Sequence, residues 1–199
     1  MRHLLSALIA CLALTGCATT RPPTQVSDAC SILKEKRAWR SDLRDAARQW
    51  TVSPGLILAF IQQESGFRAD AKPPRSDGFL FVPGARPSSA EGYAQALDGT
   101  WNDYRAATGN SGAKRSRFSD AADFIGWYVN RSKKVANIPV DDVQAHYLAY
   151  HEGPVGYRRG TWRSKAWLLT VSSKVAANAA RYDNQLARCD GVRLATRTL

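Results

Sequence analysis

Ser53-Pro54-Gly55-Leu56-Ile57-Leu58-Ala59-Phe60-Ile61-Gln62-Gln63-Glu64-Ser65-Gly66-Phe67 is the stretch whose reading organises the rest of the chain. Ser53 offers a side-chain oxygen to the free N–H groups of a helix start, and Pro54 suits the first helical position. The spacing predicts a helix over Pro54–Ser65. Ile57, Phe60 and Ile61 mark an apolar stripe on it, and Glu64 follows them by seven, four and three residues, on the same face. A carboxylate there must be paired, reach a cleft, or sit partly out of water. Desolvation would raise its pKa, as a general acid needs near neutral pH. On its own, a helix-end glutamate is more often a solvated or salt-bridged one.

Working outward, helical spacing dominates and strand-like alternation is scarce, so the fold class is mainly α. Ile32–Trp50 reads as one amphipathic helix, and Thr100–Ala107 as a short one. Ser119 caps Asp120–Val135, Pro139 opens a helix to about Glu152, and Ser164 caps Lys165–Arg188. Ser88-Ser89-Ala90-Glu91 suggests a further short helix, with Ser88 as cap and Glu91 closing a capping box. The segment 68–87 is rich in Pro, Gly and basic residues around Phe79-Leu80-Phe81-Val82. It is a long irregular loop or a hidden hairpin.

The chain has 199 residues, 44% hydrophobic and 23% charged, enough for one sizeable core and unlike a disordered or fibrous protein. Lys+Arg 28 against Asp+Glu 17 gives +11, which favours polyanionic partners. Arg2 and the apolar run Leu4–Leu14 have the order of an export signal, too short for a permanent membrane span. The run ends Leu14-Thr15-Gly16-Cys17, which looks like a bacterial lipobox. Residues 1–16 are then a signal peptide and Cys17 the lipidated residue, its acyl chains tying the protein to a membrane. Ala18, not Asp, follows the anchor, which in the lipoproteins it resembles usually permits transport to the outer membrane. Residues 17–27 read as a tether, 28–189 as the folded domain, and 190–199 as a frayed tail. Once Cys11 and Cys17 are accounted for, Cys30 and Cys189 remain, expected as one disulfide, with two buried thiols the alternative. No metal site is expected, because the cysteine pair and His146 and His151 lack ligand spacing. No nucleic-acid motif appears, and an exported chain seldom meets nucleic acid.

Three blocks then fall in order. Ile61-Gln62-Gln63-Glu64-Ser65-Gly66-Phe67 resembles the Glu-Ser-x-Phe signature of the soluble-lytic-transglycosylase class, related to goose-type lysozyme. Ser89-Ala90-Glu91-Gly92-Tyr93-Ala94-Gln95-Ala96-Leu97 is similar to that family's second block, small residues before Gly-Leu-Met-Gln. His146-Tyr147-Leu148-Ala149-Tyr150-His151-Glu152-Gly153 resembles its third, Ala-Tyr-Asn-x-Gly. Tyr93-Ala94 stand where the family has Leu-Met, His151 replaces Asn, and the gap from Phe67 to Gly92 is longer than usual.

The resemblance implies a lysozyme-like helical domain that cleaves the β-1,4 bond between N-acetylmuramic acid and N-acetylglucosamine in peptidoglycan, without a cofactor. It implies Glu64 as catalytic acid and then base, and Tyr150 as a hydrogen-bonding partner that orients it. Gln95 with Ser88 or Ser89 would hold acetamido groups, and Tyr93 and His151 join them as substrate-binding candidates. For Ser88 the capping role is the favoured one, and for Tyr150 a core role is the alternative. Two further readings compete. A hydrolytic muramidase would need a second carboxylate, for which Glu91 and Asp98 are at hand. A non-catalytic wall-binding lipoprotein would follow if His151 and Ala94 spoil the cleft.

Overall fold

A computed structural model describes residues 21–76 and 84–189. The expected signal segment 1–16 and Cys17 anchor, Phe79–Val82 and the expected tail 190–199 lie outside the described residues. Among the described residues there are seven helices and no strand: α1 Ala29–Glu35, α2 Trp39–Trp50, α3 Pro54–Ser65, α4 Asp98–Thr108, α5 Phe118–Ala136, α6 Val143–Arg159 and α7 Ala166–Leu186. The domain is mainly helical, as expected.

Helix α3 has the predicted bounds. The Ser53 hydroxyl accepts from the Leu56 N–H at 2.9 Å, and Gly66 ends the helix at φ 59°. Its burial goes beyond the predicted stripe. Every residue from Leu56 to Ile61 is at most 1% exposed, because α7 covers one flank while α2 and α5 lie against others. An all-round apolar helix belongs at the centre of a core. Gly55 makes the α7 contact possible: a Cβ there would lie 2.4 Å from the Ala179 carbonyl oxygen.

Asp183 on α7 fastens the start of α3. Its carboxylate accepts from the Ser53 hydroxyl at 2.6 Å and the Gly55 N–H at 2.8 Å. Asp183→Ala should remove both bonds and lower the unfolding free energy by about 2 kcal/mol, read from urea denaturation.

Several boundaries differ from the sequence reading. The helix expected over Ile32–Trp50 is two, separated at Lys36-Arg37-Ala38. The turn brings Trp39 into the core, stacked on Phe118 at 3.9 Å, and the Arg40 Nε donates to the Leu33 carbonyl at 2.8 Å. No helix forms at 88–91. Ser88 accepts only from the Ala90 N–H two residues on, at 3.4 Å, so the capping box is not built. Ser89 instead accepts from the Asp98 N–H at 3.1 Å, satisfying a donor at the start of α4.

Helix α5 starts after Arg117 and α7 after Lys165, so neither Ser119 nor Ser164 is the cap. Helix α6 starts after Asp142, whose carboxylate caps the Ala145 N–H at 2.9 Å, and not at Pro139. It also runs beyond Glu152, bending at Gly153 (φ 72°, ψ 151°) before Pro154.

The part of the expected tether that is described is docked, not free. Thr24 donates twice to the Glu35 carboxylate at 2.9 and 3.0 Å, Tyr182 donates to the Val26 carbonyl, and Pro23 is buried. Across the molecule Cys30 is joined to Cys189, closing a loop between residues 159 apart in sequence. Within the 68–87 segment the Ser76 N–H donates to the Ala85 carbonyl at 3.0 Å.

Candidate active site

Glu64 occupies the last turn of α3, where the chain reverses through two left-handed residues, Gly66 and Phe67 (φ 63°). Phe67 is fully buried and stacks on Trp39 at 5.9 Å, packing that holds its unfavourable backbone in place. The Glu64 side chain is half-buried and has no ion pair with any described residue. Burial lifts its pKa from the ordinary carboxyl range to about 7, opposed by a hydrogen bond from Tyr147. An acid with that pKa can both give and recover a proton near neutrality.

The hydroxyl that touches Glu64 belongs to Tyr147, not Tyr150: Tyr147 donates to Oε1 at 2.7 Å. Tyr150 lies beside them, with its own hydroxyl donated to the Ala94 carbonyl at 2.5 Å. The two rings flank Phe60 edge-on at 5.2 and 5.3 Å. Burial raises the pKa of both tyrosines, first among several causes, so both remain protonated donors. Tyr150 therefore ties α6 to the second block, while Tyr147 orients the acid. The sequence did carry a signal for Tyr147, its helical spacing with Val143 and Tyr150, but that spacing equally describes a core face.

The second block is a tight loop. At Gly92 (φ 76°) a Cβ would sit 2.2 Å from the Arg115 carbonyl oxygen. Gln95 adopts φ 47°, and its Nε2 donates to the carbonyls of Ala71 and Gly92 at 2.9 and 2.8 Å. Both amide donors are thus engaged in the loop, leaving Oε1 as the atom able to meet a ligand donor. Tyr93 is a core residue: 2% exposed, it packs edge-on against Trp39 and Phe118, so its ring does not face a substrate. Ser88 and Ser89 are exposed. His151 is exposed too, with Nδ1 2.9 Å from Glu152.

The carboxylates weighed as partners for Glu64 are committed elsewhere. Glu91 pairs with Lys72 at 3.0 Å and Arg115 at 3.7 Å, and Asp98 pairs with Arg115 at 2.5 Å. The described residues contain no group of three or more His, Cys, Asp or Glu side chains able to hold a metal ion.

A helical domain offering one desolvated, tyrosine-bonded glutamate from its central helix has the equipment for acid-catalysed group transfer. A family model described as a transglycosylase SLT domain matches residues 5–189, and the chain belongs to that family. A search of curated proteins found no match.

Removing the orienting hydroxyl separates position from protonation. The Tyr147 bond favours the charged carboxylate and so lowers the Glu64 pKa. Tyr147→Phe should raise that pKa above 7, moving the alkaline limb of the pH–rate profile upward. It should also cost about tenfold in kcat through lost orientation. An unmoved limb would mean that Tyr147 does not act on Glu64.

Proposed function

We propose that the protein is a peptidoglycan lytic transglycosylase that releases 1,6-anhydro-N-acetylmuramic acid. The observation that carries this reading is the setting of Glu64: a partly buried carboxyl at the end of the central helix that accepts a 2.7 Å hydrogen bond from Tyr147 and has no ion pair among the described residues. In the first half-reaction Glu64 gives its proton to the glycosidic oxygen as the C1–O bond of the muramyl residue breaks, and N-acetylglucosamine leaves with a free 4-hydroxyl. The Glu64 carboxylate then takes the proton of the muramyl 6-hydroxyl, whose oxygen bonds to C1. Glu64 is restored and no water is consumed, so one carboxyl suffices where hydrolytic glycosidases use two.

Tyr147 keeps the carboxyl aimed through the cycle. The Gln95 carbonyl oxygen, with Ser88, Ser89 and His151 nearby in the sequence blocks, is suited to acetamido and hydroxyl groups of the strand. Glu91 and Asp98, the candidates for the base a hydrolytic muramidase would need, are each paired with a cation and not with Glu64. The test is solubilisation of purified sacculi. Glu91→Gln and Asp98→Asn should still release muropeptides, whereas Glu64→Gln should not. Loss of release in Glu91→Gln or Asp98→Asn with an intact fold would point to two-carboxylate hydrolysis.

The same reading places the protein on the periplasmic face of the bacterial envelope, held by acyl chains on Cys17, with the outer membrane as the destination consistent with Ala18. Pro23 is buried against the domain, so the six residues from Cys17 span at most about 20 Å. That leash would keep the domain close to the lipid surface. Cys17→Ser should release the processed protein from membranes or leave it unprocessed. A processed Cys17→Ser protein that stays membrane-bound would contradict the anchor.

A further inference from the structure

Trp167 is the outlier among the tryptophans. Trp39, Trp101 and Trp127 are at most 9% exposed, whereas Trp167 is 55% exposed. The half-buried Trp50 and Trp162 use their indoles to donate to Asp123 and to the Tyr157 carbonyl, whereas the exposed Trp167 indole has no hydrogen-bond partner among the described residues. An exposed ring with a free N–H is an amphipathic surface, apolar on its faces and polar at one edge. It does not float: it meets the His151 ring edge-on, with centroids 5.0 Å apart and an interplanar angle of 76°.

His151 fixes where this surface lies. It follows Tyr147 by four residues on α6, which puts both on one face about 6 Å apart along the axis. Tyr147 is the residue whose hydroxyl touches Glu64, so the His151–Trp167 pair flanks the acid one helical turn away. Glu152 secures the arrangement. Its carboxylate, only 5% exposed, accepts from Lys165 Nζ at 2.6 Å, from His151 Nδ1 at 2.9 Å, and from the Thr161 hydroxyl. One carboxylate thereby joins α6 to Lys165, the residue just before α7 and two positions before Trp167. A carboxylate can only accept, so His151 carries a proton on Nδ1, leaving Nε2 as the ring nitrogen able to meet a ligand.

We propose that His151 and Trp167 form a sugar-binding platform that seats an N-acetylhexosamine ring of the glycan strand beside the scissile bond, with Glu152 as its positioning residue. The C–H face of the pyranose lies on the indole, and His151 Nε2 hydrogen-bonds an acetamido group or a ring hydroxyl. The inference rests on the glycan-cleaving reading of Glu64, and it adds Trp167, on a helix outside all three sequence blocks, as the stacking partner of His151.

The test is binding, so that it does not depend on turnover. The full chain carrying Glu64→Gln is titrated with soluble, peptide-free glycan strands and, separately, with vesicles of anionic phospholipid. Adding Trp167→Ala should weaken strand binding about tenfold, the scale of one aromatic contact, and Trp167→Phe should recover most of it. Glu152→Gln should weaken it severalfold while Trp167 is still present, because the platform loses its fixed geometry. Unchanged strand affinity in Trp167→Ala would overturn the proposal. So would a loss confined to the vesicles, which would make Trp167 a membrane contact. Residual cleavage by the Glu64→Gln parent would instead strike the catalytic assignment and leave the binding comparison standing.

Discussion

Glu64→Gln should lose about 10³-fold in turnover while becoming more stable than the parent above neutral pH. The amide keeps the shape of the side chain and can still accept from Tyr147, but it can neither give nor recover a proton. The stability change follows from the same desolvation. The folded pKa of about 7 lies above the unfolded value of 4.5, so the parent keeps the full contribution below pH 4.5 and loses it as pH rises through 7. At pH 8 the buried charge costs about 3 kcal/mol, a cost the glutamine variant does not bear. Urea denaturation at pH 4 and pH 8 reads this directly: similar midpoints at pH 4, and a higher midpoint for the variant at pH 8. Activity of the parent should decline above pH 7 as the acid form disappears. Equal stabilities at pH 8 would mean that Glu64 is solvated and carries no raised pKa.

Reduction of Cys30–Cys189 should produce the largest loss of stability. The bond joins the start of the domain to its end, 159 residues apart. Chain-entropy arguments give about 5 kcal/mol for releasing so long a loop, which corresponds to a fall of roughly 15 °C in Tm for a domain of this size. Thermal unfolding with and without reductant checks it. Cys30→Ala should unfold at the reduced temperature and ignore the reductant. The loosened ends are local: α1 packs on α7 near Gln185, whose side chain accepts from the Ala29 N–H at 2.9 Å. Residues 23–27 should therefore lose protection from hydrogen exchange first.

What the sequence made legible was chemistry that is local in the chain. The Ser53 cap, the Pro54 start and the Gly66 stop are each decided within a turn of helix, so α3 and the place of Glu64 could be read directly. The cysteine pairing followed from the expected export and the cysteine count. Long-range contacts were not legible. Nothing near Asp183 announces that it caps a helix beginning 130 residues earlier, or that Tyr147 and not Tyr150 would reach Glu64. On α6 both tyrosines share the apolar face, and three residues of helical rotation decide which hydroxyl meets the acid. Tyr93 occupies a position that the family resemblance associates with the cleft, yet packing between Trp39 and Phe118 claims its ring. The break after Glu35 escaped because Lys36-Arg37-Ala38 contains neither Gly nor Pro. There the burial of Trp39 outweighs local helix propensity.

The most direct test of the central claim is digestion of purified sacculi in water enriched in ¹⁸O, followed by mass spectrometry of the released muropeptides. Internal attack by the 6-hydroxyl brings in no solvent oxygen. The account therefore predicts muropeptides ending in anhydro-muramic acid, one water lighter than a reducing end and free of ¹⁸O, with none released by Glu64→Gln. Products with reducing ends carrying ¹⁸O would show that water attacks the anomeric carbon, and would contradict single-carboxyl transglycosylation by Glu64.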